Sequence, residues 1–205
     1  MKIHKFLAVV TLCVLIASCS TDEPSQMDRT VFIPDYNDYN LPAYTEMGYN
    51  AFGAMIDREY FLVSGSIIPC KILYKEGKIM FMLDGTRKNS VYHTDSRMTL
   101  FFYFPFEQCS DYQDIIKLND VNINLLSNDC RVEMSTENSE VQHLDLIKGN
   151  IYFKNAQLCL IDDVPNRVIL SGEFDFQFLT GGELPVVVRY GRFDFGINND
   201  YFFSY

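Results

Sequence analysis

From Asn50 onward the chain reads as short apolar runs separated by turn residues, and most of the runs alternate. In RVILSGEFDFQFL, Val168, Leu170, Gly172, Phe174, Phe176 and Phe178 share one parity, and Ile169, Ser171, Glu173, Asp175 and Gln177 share the other. Successive side chains of a strand point to opposite faces, so this segment predicts a strand with one core face and one wet face. Gly181-Gly182 turns the chain into PVVVRYGRFDFGI (185–197), with Val187, Phe193, Phe195 and Ile197 on one parity. The pattern shifts between Val188 and Arg192, which predicts a bulge at Gly191.

The same reading applies upstream. Lys71–Lys75 and Lys78–Leu83 flank Glu76-Gly77, a compact hairpin signal. Ala51–Ile56 and Glu59–Val63 flank a turn at Asp57-Arg58. MTLFFYFPF (98–106) is apolar on both parities, which predicts a covered central strand ending at Pro105. VNINLL (121–126) alternates, and LDLIKGNIYF (144–153) reads as two short strands about Lys148-Gly149, with Leu158–Ile161 a further one. Only DYQDIIKL (111–118) suggests a helix, of one or two turns, capped by Ser110 or Asp111. Many short strands with frequent turns predict an all-β fold, an antiparallel two-sheet β-sandwich. The alternative is a closed β-barrel whose lumen Phe101 and Tyr103 would line.

The N-terminus breaks the alternation. Lys2 and Lys5 precede FLAVVTLCVLIA (6–17), an apolar run of about a dozen residues, too short for a bilayer core that takes roughly 20. Charge, a short apolar run and small residues describe a secretory signal peptide. Leu15-Ile16-Ala17-Ser18-Cys19 resembles the bacterial lipobox. The resemblance implies cleavage before Cys19, a diacylglycerol on its thiol and an acyl chain on its new amine. Several chains are needed because each buried CH₂ contributes only about 0.8 kcal/mol. Ser20-Thr21-Asp22-Glu23 resembles the acidic signal that sends Bacteroidetes lipoproteins to the outer face of the outer membrane; retention facing the periplasm is the alternative. The expected organisation is a signal peptide over 1–18, a lipidated tether over 19–44 and one domain over 45–205.

Charge narrows the partners. The chain of 205 residues has net charge −10. Removing residues 1–18 takes Lys2 and Lys5, leaving 15 basic against 27 acidic residues, or −12. Such a surface does not attract phosphate backbones, so nucleic acid is excluded as a partner, and the membrane is reached through the acyl chains. No cofactor is expected besides those chains. Cys70, Cys109, Cys130 and Cys159 lack the spacing of a metal site. An oxidising compartment permits a Cys109–Cys130 disulfide, with four free thiols as the alternative. DYNDYN (35–40) lacks the Gly and distal Glu of a calcium loop and reads as turn chemistry.

Two stretches carry a further resemblance. TEMGYNAFGAMIDREYFLV (45–63) and LSGEFDFQFLTGGELPVVVRYGRFDF (170–195) resemble the opening and closing hairpins of small lipoproteins of gut Bacteroidetes, a family without an assigned activity. Gly48, Asn50, Phe52, Gly53, Gly172, Phe174, Gly191, Arg192, Phe193 and Asp194 match. Met47, Asp57-Arg58 and Tyr60-Phe61 depart from it. The resemblance implies location and fold, and the matching residues read as structural.

No catalytic motif is present: no GxSxG, no HExxH, no phosphate loop. His93, with Asp95 on its face, is isolated, as is His143. Glu173 and Asp175 share a strand face at a separation compatible with glycoside hydrolysis, but acids on a wet face are the default. Tyr36, Tyr39, Tyr103 and Tyr112 offer large amphipathic rings to a sugar or peptide. The sequence therefore predicts a non-enzymatic, lipid-anchored surface module binding a glycan, a peptide or a partner protein. A small-molecule carrier and a hydrolase are the alternatives.

Overall fold

The computed structural model describes residues 29–203 except 66–67, 90–93, 138 and 182–183. The signal peptide, Cys19, His93 and Gly182 lie outside the described residues. The strands are β1 (Ala51–Ile56), β2 (Glu59–Val63), β3 (Cys70–Lys75), β4 (Lys78–Asn89), β5 (Thr94–Pro105), β6 (Val121–Asn124), β7 (Arg131–Thr136), β8 (Gln142–His143), β9 (Asp145–Ile161), β10 (Val164–Leu179) and β11 (Val186–Ile197). All of their ladders are antiparallel, as predicted.

They form one continuous sheet in the order β6-β9-β10-β11-β1-β2-β4-β5-β7-β8, with β3 following β2 along the same edge of β4. The sheet curls into a half-barrel. The two layers expected of a sandwich are thus the two halves of one sheet. Their inner faces meet through phenyl rings: Phe81 and Phe104 of the β4–β5 half lie 5.7 and 5.5 Å from Phe153 of β9, and Phe102 lies 5.3 Å from Phe174 of β10. These rings fill the space that a closed barrel would leave as a lumen. Phe101 and Tyr103, expected to line it, point outward, because Phe102 and Phe104 hold the inward parity of β5.

Several local expectations hold for the reasons given. Glu76 and Gly77 both take left-handed φ, 53° and 76°, the geometry of a two-residue type I′ hairpin. Asp111 caps a 3-10 helix, Tyr112–Leu118, by accepting a 2.8 Å bond from Gln113 N. Pro105 ends β5. Residues 144–161 differ from expectation: instead of three short strands they form one, β9, whose register slips at Lys148/Leu146 opposite Gln177/Phe178. A slip absorbs the extra residue without ending the ladder. Gly149 stays inside the strand because a Cβ there would strike Phe176.

The predicted tether boundary also moves. Residues 29–44 pack on the body: Leu41 is buried, Pro34 bridges Pro42, and Val31 N donates to Tyr49 O at 2.8 Å. Buried Asp194 on β11 holds the following turn. Its carboxylate accepts from Thr45 Oγ1 (2.6 Å), Met47 N (3.1 Å), Gly48 N (2.7 Å) and Tyr49 N (3.3 Å). Asn50 Oδ1 accepts from Gly196 N and Tyr201 Oη, which ties the start of β1 to β11 and to the turn after it.

Candidate functional site

The predicted site residues separate. Tyr112 lies in the core, because the 3-10 helix has three residues per turn and so buries Tyr112, Ile115 and Leu118 together. This corrects its reading as a binding aromatic. Cys109 and Cys130 are free thiols, as are Cys70 and Cys159. Cys109 Sγ turns to Asp111 O at 3.5 Å, inside its own loop, and burial pushes it up to about 11. Burial raises Cys130 as well.

Tyr103 lies in a groove of about 630 Å³ on the outer face of β3, β4, β5 and β7, where Leu73, Met80, Tyr103 and Arg131 stand in register. Its ring is covered by the Arg131 guanidinium at 4.3 Å. Its hydroxyl, pushed up to about 12 by burial and then by a hydrogen bond to Glu133, is already engaged. Both binding features of this ring are thus taken up within the protein.

The other outer face is built differently. On β6, β9, β10 and β11 the wet parity carries Asn122, Tyr152, Glu173 and Arg192, directly opposite one another across four strands. Three interstrand steps of about 4.8 Å make this row about 14 Å long. The next row holds Asn124, Asn150 and Asp175. The alternation that gives the other parity to Phe174 and Phe176 puts these polar groups outward. A groove of about 390 Å³ follows the face, lined by Asn122, Asn150, Tyr152, Glu173, Asp175, Tyr190 and Arg192 among others.

A bulge finishes the site. Phe174 pairs with Gly191 but Phe176 pairs with Val188, and Gly53 pairs with Arg192 but Met55 with Arg189. The bulge lies in the predicted stretch between Val188 and Arg192, but its extra residue is Tyr190 and not Gly191, and it reverses parity: Val186 and Val188 face inward before it, Phe193, Phe195 and Ile197 after it. Val187, grouped with the latter by the sequence, therefore faces outward. Tyr190 takes φ 55° there and is 56% exposed. Left-handed backbone at a bulky, exposed residue is strained, and such strain collects at functional sites. Gly191 carries no side chain because a Cβ would enter the Phe174 ring.

The groups of this face are held to different degrees. Lys154 Nζ lies 2.7 Å from Glu173 Oε2. Tyr152 donates to Asp120 at 2.5 Å, a bond that raises the phenol. Arg192 Nη1 donates to Asp35 Oδ2 (2.6 Å) and Pro42 O (3.1 Å). Asp35 Oδ1 in turn accepts from Asn37 N and Asp38 N, so DYNDYN is turn chemistry as expected. The loop so fixed carries exposed Tyr36 and Tyr39, neither of which lines the groove. The side chains of Asn122, Asn150 and Asp175 and the Tyr190 hydroxyl have no hydrogen-bond partner among the described residues. Two amides, a carboxylate and a phenol so disposed can each donate to or accept from a polyhydroxylated ligand; the Arg189 guanidinium lies 5.4 Å from the Tyr190 ring centre, which leaves the ring edge and its other face to a ligand.

The chemistry of the carboxylate pair follows from its surroundings. A glycosidase needs one carboxyl kept protonated by an apolar pocket. Glu173 is paired with Lys154 and Asp175 faces water beside Asn150, so neither has such a pocket. Among the described residues no three His, Cys, Asp or Glu side chains gather as a metal site. His143 is exposed on β8 and lines the Tyr103 groove instead. The sequence missed Asn122, Asn150, Tyr152 and Tyr190 because a wet-face parity marks solvent exposure without saying which strands lie side by side.

Compared with known proteins, the chain matches no family model, no curated protein and no solved structure.

Proposed function

We propose that the chain is a non-enzymatic binding module, anchored by lipid at Cys19 on the outer membrane with its body facing outward, that holds a glycan on the outer face of β6, β9, β10 and β11. The observation that carries this is the set of unpartnered polar groups, Asn150 and Asp175 in one cross-strand row and Asn122 in the row beside it, next to a tyrosine lifted into solvent at a strained bulge. Sugar hydroxyls occur as vicinal pairs, and planar amides and carboxylates match such pairs with two bonds each. The filled core speaks against a carried ligand inside the curl, and a Glu173 paired with Lys154 beside a solvent-facing Asp175 speaks against hydrolysis. The lipobox-like LIASC and the acidic residues after it support the anchor and its outward address.

Residues 20–205 applied to a glycan array test the binding reading. Retention of a defined set of glycans by this protein, with loss in Tyr190→Ala and Asp175→Ala, is the expected outcome. Equal retention by the variants moves the site elsewhere. For the anchor, labelled palmitate is expected to enter the wild type and not Cys19→Ala.

A further inference from the structure

Exposed apolar side chains gather at one end of the molecule, where the chain enters it. The β9–β10 hairpin ends in Leu160, Ile161, Asp162, Asp163 and Val164. Leu160 is 51% exposed and Val164 63%, with Ile161 between them in sequence and also exposed. Nothing among the described residues covers these three. Arg29, the first described residue, lies in a cleft with Cys159 and Arg167, the cross-strand pair next to the tip on the groove's parity. Val31 and Met47, both exposed, line the same cleft.

The length of chain outside the structure fixes what this end can touch. Nine residues lie between Cys19 and Arg29, ten steps along the chain, a reach of at most about 35 Å. The proposed glycan face is far from this end. Tyr152 stands nine residues from Ile161 along β9, about 30 Å at a strand's rise. Because the tether enters beside the hairpin tip, the tip is the part of the body nearest the anchor, and Tyr190 and Asp175 lie beyond it.

We infer that the β9–β10 tip is a membrane foot: Leu160, Ile161 and Val164 seat in the interfacial layer of the bilayer to which Cys19 is anchored. Burying three half-exposed aliphatic side chains is too little to hold a free protein. The tether supplies the local concentration that makes so weak a contact persist. Asp162 and Asp163 stay at headgroup height, where zwitterionic lipid tolerates them and anionic lipid repels them. The inference rests on the anchor reading.

The chain contains no tryptophan, so one introduced indole reports alone. The full-length chain, processed by its own host, is reconstituted into phosphatidylcholine–phosphatidylethanolamine vesicles as Val164→Trp and, separately, as Tyr190→Trp. Flotation with the vesicles comes first, then quenching by lipids brominated near the headgroup. Both variants are expected to float. The indole of Val164→Trp is expected to be blue-shifted and quenched at least twofold, and that of Tyr190→Trp to be unquenched. Flotation with the tip indole no more quenched than the one at the bulge overturns the foot and leaves the anchor standing. Failure to float overturns both.

Discussion

At the scale of single residues, Asp194 ties the 45–49 turn to β11. Four donors converge on one carboxylate that is 2% exposed. Charge-assisted bonds contribute about 1.5–3 kcal/mol each in favourable cases, and donors left buried without an acceptor cost more than the bond itself returned. Asp194→Ala is therefore expected to lower unfolding free energy by about 3 kcal/mol or more in urea titration; a loss under about 1 kcal/mol would show that the 45–49 turn is held by something else. Asp35 sets an acid limit. Its bond to Arg192, then those from Asn37 and Asp38, holds its carboxyl below the usual carboxylate value of 3.8. The folded-state pKa is depressed, so the stabilisation is complete above about pH 4 and is lost as pH falls through the lower folded value. Arg192→Gln should remove part of the acid sensitivity below about pH 4, read as a flatter dependence of the melting temperature on pH.

At the scale of elements, the informative feature is the bulge in β11. The strained backbone at Tyr190 costs of order 1 kcal/mol that glycine would not incur. Tyr190→Gly is expected to raise stability by up to about 1 kcal/mol while abolishing glycan retention; a destabilised variant that still binds would contradict the assigned role. The bulge is legible in the sequence because the apolar parity of 185–197 changes partway and a glycine sits at the change. β10 is legible from Val168 to Phe178 because its parity never breaks there, the slips along that stretch falling in its neighbours, while its start carries a slip of its own at Asn166. β9 is not, since Lys148-Gly149 carries a turn's composition while continuing a strand under Phe176. Tyr112 escapes a sequence reading for a similar reason: its burial depends on a three-residue period over only seven residues, too short to display itself among polar neighbours.

At the scale of the whole molecule, eleven strands become one curled sheet because both halves carry rings on their inner parity. Phe153 touches Phe81, Phe104 and Phe193, and so ties β4 and β5 to β9 and β11. Phe153→Ala is expected to cost about 3–5 kcal/mol and to loosen both halves together, seen as one cooperative transition at lower denaturant by circular dichroism. All-β class and antiparallel pairing can be read from alternation and turn spacing. Whether the halves join as one sheet depends on which strands neighbour one another, and no local pattern encodes that. The site is hidden for the same reason: Asn122, Tyr152, Glu173 and Arg192 lie far apart in sequence and meet only through the ladder order β6-β9-β10-β11.

Amide hydrogen exchange, run with and without a glycan selected on the array, addresses the binding face most directly. Slowed exchange confined to residues 121–124, 150–154, 173–175 and 189–192 is the predicted footprint. Protection centred on β4, β5 and β7 around Tyr103, or none at saturating glycan, would contradict it.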